Sequence, residues 1–236
     1  MKGRIDPGRL NPIASFIFED PNSLERRVET GPRRDVELAT HVGERCHGRF
    51  LVRDGWGLTA RAPEVLYIGR LETEKGVRVL IEAAQAAKQV RTVFAGRGSL
   101  APEIARAAGG GRVDYLGLLE PAGVRAMLDQ VSAVVVPSLW DENCPMVVLE
   151  AGARGCPVIV SDIGGIPEPV TDGVDGLLVP AGNASRLADA MSSLALDAFF
   201  AKSLGAERFQ RTRRLHSEEA HYRDLLDVYQ AAGGAT

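Results

Sequence analysis

From Pro63 onward the chain alternates two kinds of apolar pattern, and this alternation restricts the fold more than any other feature. Short β-branched or aliphatic runs at residues 65–68, 92–95, 113–116, 133–136, 158–160 and 176–179 are separated by helix-length amphipathic stretches at residues 76–88, 100–108, 121–130, 146–154 and 183–196. In the first stretch Val77, Leu80, Ile81, Ala84 and Ala87 recur at spacings of three and four, which places them on one helical face. The strand candidates are apolar nearly throughout, as suits strands covered on both sides. Such strands joined by helices form a doubly wound parallel α/β sheet. Two further helical stretches, residues 199–213 and 217–230, close the chain, and in the second Tyr222, Leu225, Leu226 and Tyr229 mark the expected buried face.

Residues 1–62 differ. Eleven Lys/Arg and nine Asp/Glu are interspersed with prolines, glycines and short apolar snatches, without period or repeat. They read as an irregular segment with short helical or extended pieces at residues 22–28 and 49–52, and residues 63–236 read as one domain. A net charge of −3 gives no reason to expect nucleic acid as a partner. Three cysteines, Cys46, Cys144 and Cys156, form no C-x-x-C pair. That excludes a disulfide framework, offers no zinc signature and fits a reducing cytoplasm. No export signal and no apolar run of transmembrane length is present, which leaves peripheral contact with a membrane surface open.

In a doubly wound sheet, ligands bind beyond the carboxyl ends of the strands. The loop after the first strand reads Gly69-Arg70-Leu71-Glu72-Thr73-Glu74-Lys75-Gly76. Arg70 and Lys75 ahead of a helix suit a diphosphate, because Arg binds bidentately and Lys adds a point charge. The same spacing also suits two solvated surface cations. After the second strand, Gly96-Arg97-Gly98-Ser99 permits either close approach to a ligand or a tight turn. It is not a dinucleotide fingerprint, which disfavours a Rossmann oxidoreductase. P-loop and nucleophile-elbow motifs are also missing from the sequence.

The fourth strand leads into Pro137-Ser138-Leu139-Trp140-Asp141-Glu142-Asn143-Cys144-Pro145-Met146-Val147-Val148-Leu149-Glu150-Ala151. Pro145 suits the first turn of a helix, with Asn143 or Cys144 as its cap. The amides of Cys144, Met146 and Val147 would then face a ligand, and Glu142 and Glu150 could border it as acceptors for two sets of hydroxyls. A carboxylate inside the apolar run after Pro145 is costly unless paired. The alternative is a helix-start Glu favoured by the dipole plus a surface Glu. The fifth loop, Ser161-Asp162-Ile163-Gly164-Gly165-Ile166-Pro167-Glu168, suits another sugar- or phosphate-adjacent turn, whereas Asp172-Gly173-Val174-Asp175-Gly176 reads as a structural turn.

Together these segments resemble glycosyltransferase family 4, the retaining GT-B nucleotide-sugar transferases. The matching elements occur in family order: Gly69-Arg70-Leu71 with Glu74-Lys75-Gly76; Gly96-Arg97-Gly98; Tyr115-Leu116-Gly117; Pro137-Ser138; the E-x7-E pair Glu142/Glu150; Pro157-Val158-Ile159 with Gly164-Gly165-Ile166-Pro167-Glu168; and Asp172-Gly173 with Gly176-Leu177-Leu178-Val179. Each is weak alone, and the ordered set is highly specific. The resemblance covers residues 63–230 and implies a Rossmann-like, C-terminal donor-binding domain.

The resemblance also implies roles. Arg70 and Lys75 would bind the donor diphosphate and stabilise the departing nucleoside diphosphate, a task that needs no metal cofactor. Glu142 would hold hydroxyls of the donor sugar and Glu150 those of the ribose. Gly69, Gly96 and Gly98 would line the donor, as would Asn143, Cys144, Pro145, Met146 and Val147, while Leu116, Gly117 and Leu118 would border the base. Both cations are expected to face solvent while the site is empty. Residues 1–62 are too few for an acceptor domain, so the expected partner is a separately encoded acceptor-binding domain. Two functions follow: one half of a sugar transferase, or a module that holds a nucleotide sugar without turnover.

Overall fold

The computed structural model describes residues 62–233, so the pieces expected at residues 22–28 and 49–52, with Cys46, lie outside the described residues. Six strands form one sheet: β1 (Ala62–Ile68), β2 (Arg91–Ala95), β3 (Val113–Tyr115), β4 (Val131–Val136), β5 (Val158–Asp162) and β6 (Gly176–Pro180). All neighbouring strands are parallel, in the order β3-β2-β1-β4-β5-β6. The helices are α1 (Val77–Ala86), α2 (Ala101–Ala107), α3 (Pro121–Gln130), α4 (Met146–Ala153), α5 (Ala184–Leu196), α6 (Ala198–His216) and α7 (Glu218–Gly233). Every expected strand and helix of residues 63–230 is found in its place, with ends displaced by a few residues.

Both sheet faces are covered, as the continuous apolar runs require. Val65, Tyr67, Phe94, Val135 and Ile159 pack on one side with Leu80 of α1 and Leu187, Met191 and Leu194 of α5. Leu66, Val93, Val134, Val136, Val158 and Val160 pack on the other with Met127 and Leu128 of α3 and Val147, Val148 and Ala151 of α4. Adjacent residues on one strand therefore feed opposite cores.

One expectation fails. The face of α7 carrying Tyr222, Leu226 and Tyr229 is exposed, and among its described residues Ala220 is the one that is buried. Periodicity creates an apolar stripe but does not specify the surface that covers it. Here α7 packs mainly on α6.

The chain winds one way from β1 to β2 and the other way from β4 to β5. These strands lie side by side, so their C-terminal loops flank the crevice where the winding reverses. The loops touch directly. Leu139 N donates to Glu74 O at 2.8 Å. Gly76, at φ 70°, lies so close to the next loop that a Cβ there would sit 1.7 Å from Pro137 O. Gly76→Ala should therefore lose roughly 2–4 kcal/mol, from left-handed strain plus a backbone clash. Urea unfolding of the purified variant checks this, and an unchanged midpoint would contradict it.

Candidate functional site

The loop after β1 is held from beneath. Gly69 N donates to Ala95 O at 3.1 Å and Leu71 N to Arg97 O at 2.8 Å, and Leu71 is fully buried. The Tyr67 hydroxyl donates to Arg70 O at 2.5 Å. Burial, and then the nearby Glu142 charge, raise the Tyr67 phenol well above its ordinary range, so it remains a donor. The loop after β2 packs against the same segment. A Cβ on Gly96 (φ 142°) would lie 1.9 Å from Gly69 O, and one on Gly98 2.4 Å from Leu71 O. Of the two readings of this G-x-G, contact between protein backbones accounts for both glycines. Ser99 adds a tie by donating to the Glu72 carboxylate from its amide at 2.9 Å and its hydroxyl at 2.5 Å. Beyond β3, Gly96 N donates to Gly117 O at 2.7 Å. Leu116 is half-buried, Leu118 is exposed, and Gly117 (φ 70°) has open space beside it.

Across the crevice, Lys75 Nζ meets Glu142 Oε2 at 2.6 Å, and the Ser138 hydroxyl donates to the other oxygen, Oε1. The Lys75 and Glu142 side chains are only 19% and 15% exposed. Lys75 therefore does not face solvent as expected, because Glu142 lies within reach of its short loop. Arg70 does face solvent, at 66% exposed, and pairs with Glu74 Oε1 at 3.2 Å. The two cations thus hold separate carboxylates. Ser138, unassigned at the level of sequence, belongs to the site. Its signal was a small polar residue two positions past an apolar strand and four before Glu142.

The loop after β4 rests on the loop after β5. Gly165 N donates to Glu142 O at 2.8 Å, and a Cβ on Gly165 would lie 2.4 Å from Asn143 O. The start of α4 differs from expectation. Pro145 is itself the cap, with φ −64° and ψ 122°, and makes no side-chain capping bond. The helix begins at Met146, because the ring fixes φ while ψ remains extended. The first-turn amides of Met146 and Val147 consequently lack intrahelical partners. Cys144 is exposed beside this turn, and partial desolvation raises its thiol above the usual value.

Glu150 stands half-buried in α4, and among the described residues no hydrogen bond or ion pair is found for it. Desolvation alone holds its carboxyl above the ordinary value. Among the described residues no group of three or more His, Cys, Asp or Glu could hold a metal ion, and no helix is long and apolar enough to cross a membrane.

A doubly wound parallel sheet with cations, carboxylates and first-turn helix amides at its switch point is a Rossmann-like domain. The chain matches the model of the glycosyl transferases group 1 family over residues 62–197 and belongs to that family. It is 28% identical over 233 residues to alpha-D-kanosaminyltransferase of Streptomyces kanamyceticus, covering 95% of this chain and 54% of that protein. To alpha-maltose-1-phosphate synthase of Mycobacterium tuberculosis it is 31% identical over 241 residues, covering 94% and 58%. The chain spans about half the length of these curated relatives. Anabaena Alr3699/HepE in complex with UDP shares the fold, with a TM-score of 0.67 at 22% identity over 86% of this chain and 54% of that one. The C-terminal domain of the group 1 family protein LpcC from Francisella tularensis shares it with a TM-score of 0.58 at 20% identity, over 66% and 88%.

The raised Glu150 carboxyl has a thermodynamic consequence. Between the ordinary carboxylate value and its own raised value, the folded chain binds more protons than the unfolded chain, so this group lowers stability as pH rises through that window. Glu150→Gln should match wild type in urea midpoint below the ordinary carboxylate range and exceed it at neutral pH. A gap that persists unchanged in acid would contradict this.

Proposed function

We propose that residues 63–236 are the C-terminal, donor-binding domain of a retaining glycosyltransferase of family 4. The observation that carries this reading is the Lys75–Glu142 pair at the switch point, with Glu142 on the loop that leads to Glu150, which has no partner among the described residues. The likeness to a solved C-terminal domain supports the assignment. Relatives named as sugar transferases and synthases, and a fold neighbour holding UDP, support a nucleotide-sugar donor.

In this reading the diphosphate displaces Glu142 from Lys75 and Glu74 from Arg70, and the two cations stabilise the leaving group without a metal. Glu142, once released, accepts from hydroxyls of the donor sugar, and Glu150 accepts from the ribose. The Met146 and Val147 amides face the phosphates, with Cys144 and Asn143 beside the sugar. The segment from Leu116 to Leu118 borders the base. The anomeric C–O bond to phosphate breaks, the acceptor oxygen bonds on the same face, and its proton passes to the departing phosphate. An acceptor-binding domain supplies the opposite wall. A nucleotide-sugar donor and cysteines without a pairing pattern fit a cytoplasmic setting, peripheral contact with the inner face of a membrane included.

Calorimetry of UDP and uridine against variants tests the site. Arg70→Ala and Lys75→Ala should each weaken UDP by about ten- to a hundred-fold, the loss of one charge-assisted contact, and change uridine far less. Glu150→Ala should weaken both alike. The cations should differ in folding: Arg70→Ala should leave stability unchanged. Lys75→Ala leaves a partly buried carboxylate without its cation and should lose about 1–3 kcal/mol. EDTA should leave UDP binding intact. Cation variants that bind UDP as wild type does would reduce both residues to surface charges.

A further inference from the structure

Helices α4 and α6 pack against each other, and Gly155, just past the end of α4, joins the contact. Gly155 meets Gly205, Gly152 meets Thr212, and Val148 meets Arg208. At the first two the fit is steric: a Cβ on Gly152 would lie 2.0 Å from Thr212 Oγ1, and one on Gly205 2.2 Å from Gly155 O. At the third it is directional. Arg208, 1% exposed, donates from Nη2 to Val148 O at 3.1 Å and from Nη1 to Pro169 O at 2.6 Å and Asp175 Oδ2 at 3.1 Å. Asp175 is equally buried, and its Oδ1 accepts from Thr171 N at 2.5 Å. One guanidinium thus joins α6, the first turn of α4, the turn after β5 and the loop entering β6.

We propose that Arg208 is a positioning residue for the nucleotide site, acting through the first turn of α4. The proposal rests on the donor-site reading above. The apolar contacts of Val147, Val148 and Ala151 hold α4 to the sheet by non-directional burial, and the Gly152–Thr212 contact limits its rotation from the α6 side. The bond to Val148 O supplies the directional constraint at the end of the helix that carries the Met146 and Val147 amides. Glu150, two residues on, lies about 200° round the helix from Val148, so rotation of α4 moves its carboxylate and the open amides together. Stability alone is a poor account of Arg208. Burying an ion pair costs desolvation that its attraction only offsets, and apolar replacements are often as stable.

Arg208→Lys keeps a cation for Asp175 but cannot bridge the Val148 and Pro169 carbonyls with a planar fork. Asp175→Asn removes the charge partner and leaves both carbonyl bonds. Titration of the full chain with UDP and uridine should show Arg208→Lys weakening both about ten-fold. Asp175→Asn should lower the thermal midpoint at least as much yet stay within about two-fold of wild-type affinity. Amide exchange at residues 148–151 should quicken in the ligand-free Arg208→Lys chain only. The positioning role is overturned if Arg208→Lys binds as wild type does, or if affinity simply tracks the thermal midpoint across both variants. Wild type that binds none of UDP, GDP and ADP overturns the donor-site reading, and the positioning role with it. Should Arg208→Lys not fold, exchange in the wild type decides. Amides 148–151 that exchange only together with those of α6 uphold the proposal, and their opening well before α6 overturns it.

Discussion

The contact between the loops after β1 and β4 organises the rest of the site. Two neighbouring parallel strands end at the same level, and their chains depart in opposite directions. The loops would splay apart unless something joined them. Gly76 lets the backbones close onto Pro137 O, Leu139 N bonds to Glu74 O, and Lys75 reaches Glu142. Lys75 lies between two of these ties, so its position follows from backbone packing more than from its own side-chain preference. The remaining loops lean on this pair: Gly96 and Gly98 against the first, Gly164 and Gly165 against the second.

Much of this was legible from residue pattern because the signals were local. The sheet was read from six apolar runs, and α3 at residues 121–130 matched to the residue, since Pro121 opens it and an apolar strand follows directly. Candidate ligand residues fell on the loops that the strand order places at the crevice. What escaped was non-local. Sequence spacing placed Arg70 and Lys75 together, but the carboxylate that Lys75 holds lies 67 residues away along the chain. The cap of α4 was misjudged by a residue or two because Pro145 constrains φ and leaves ψ free. The exposure of Tyr222, Leu226 and Tyr229 could not be read from their spacing, which is the same for a covered stripe and an open one.

The glycines divide by the kind of demand they meet. Gly96, Gly98, Gly152 and Gly165 face protein atoms closer than any Cβ tolerates, so they are spacers between segments of the chain itself. Gly117 and Gly173 take left-handed backbone with nothing nearby, so conformation rather than room is what they supply. A glycine-rich loop at the crest of a parallel sheet is therefore no measure of how much backbone a ligand touches.

The pairing of each loop cation with a tethered carboxylate has a consequence for what the empty crevice attracts. Lys75 and Arg70 already have counter-ions, Glu142 and Glu74, so the site projects little net positive field into solution. An arriving anion does not fill a vacancy; it competes in an exchange in which a carboxylate must be evicted and rehoused. A small lone anion offers Lys75 little that Glu142 does not. In the proposed donor-site reading, a larger ligand that also gives the released carboxylate hydroxyl donors makes the exchange favourable, and the resting ion pairs would then discriminate against simple salts.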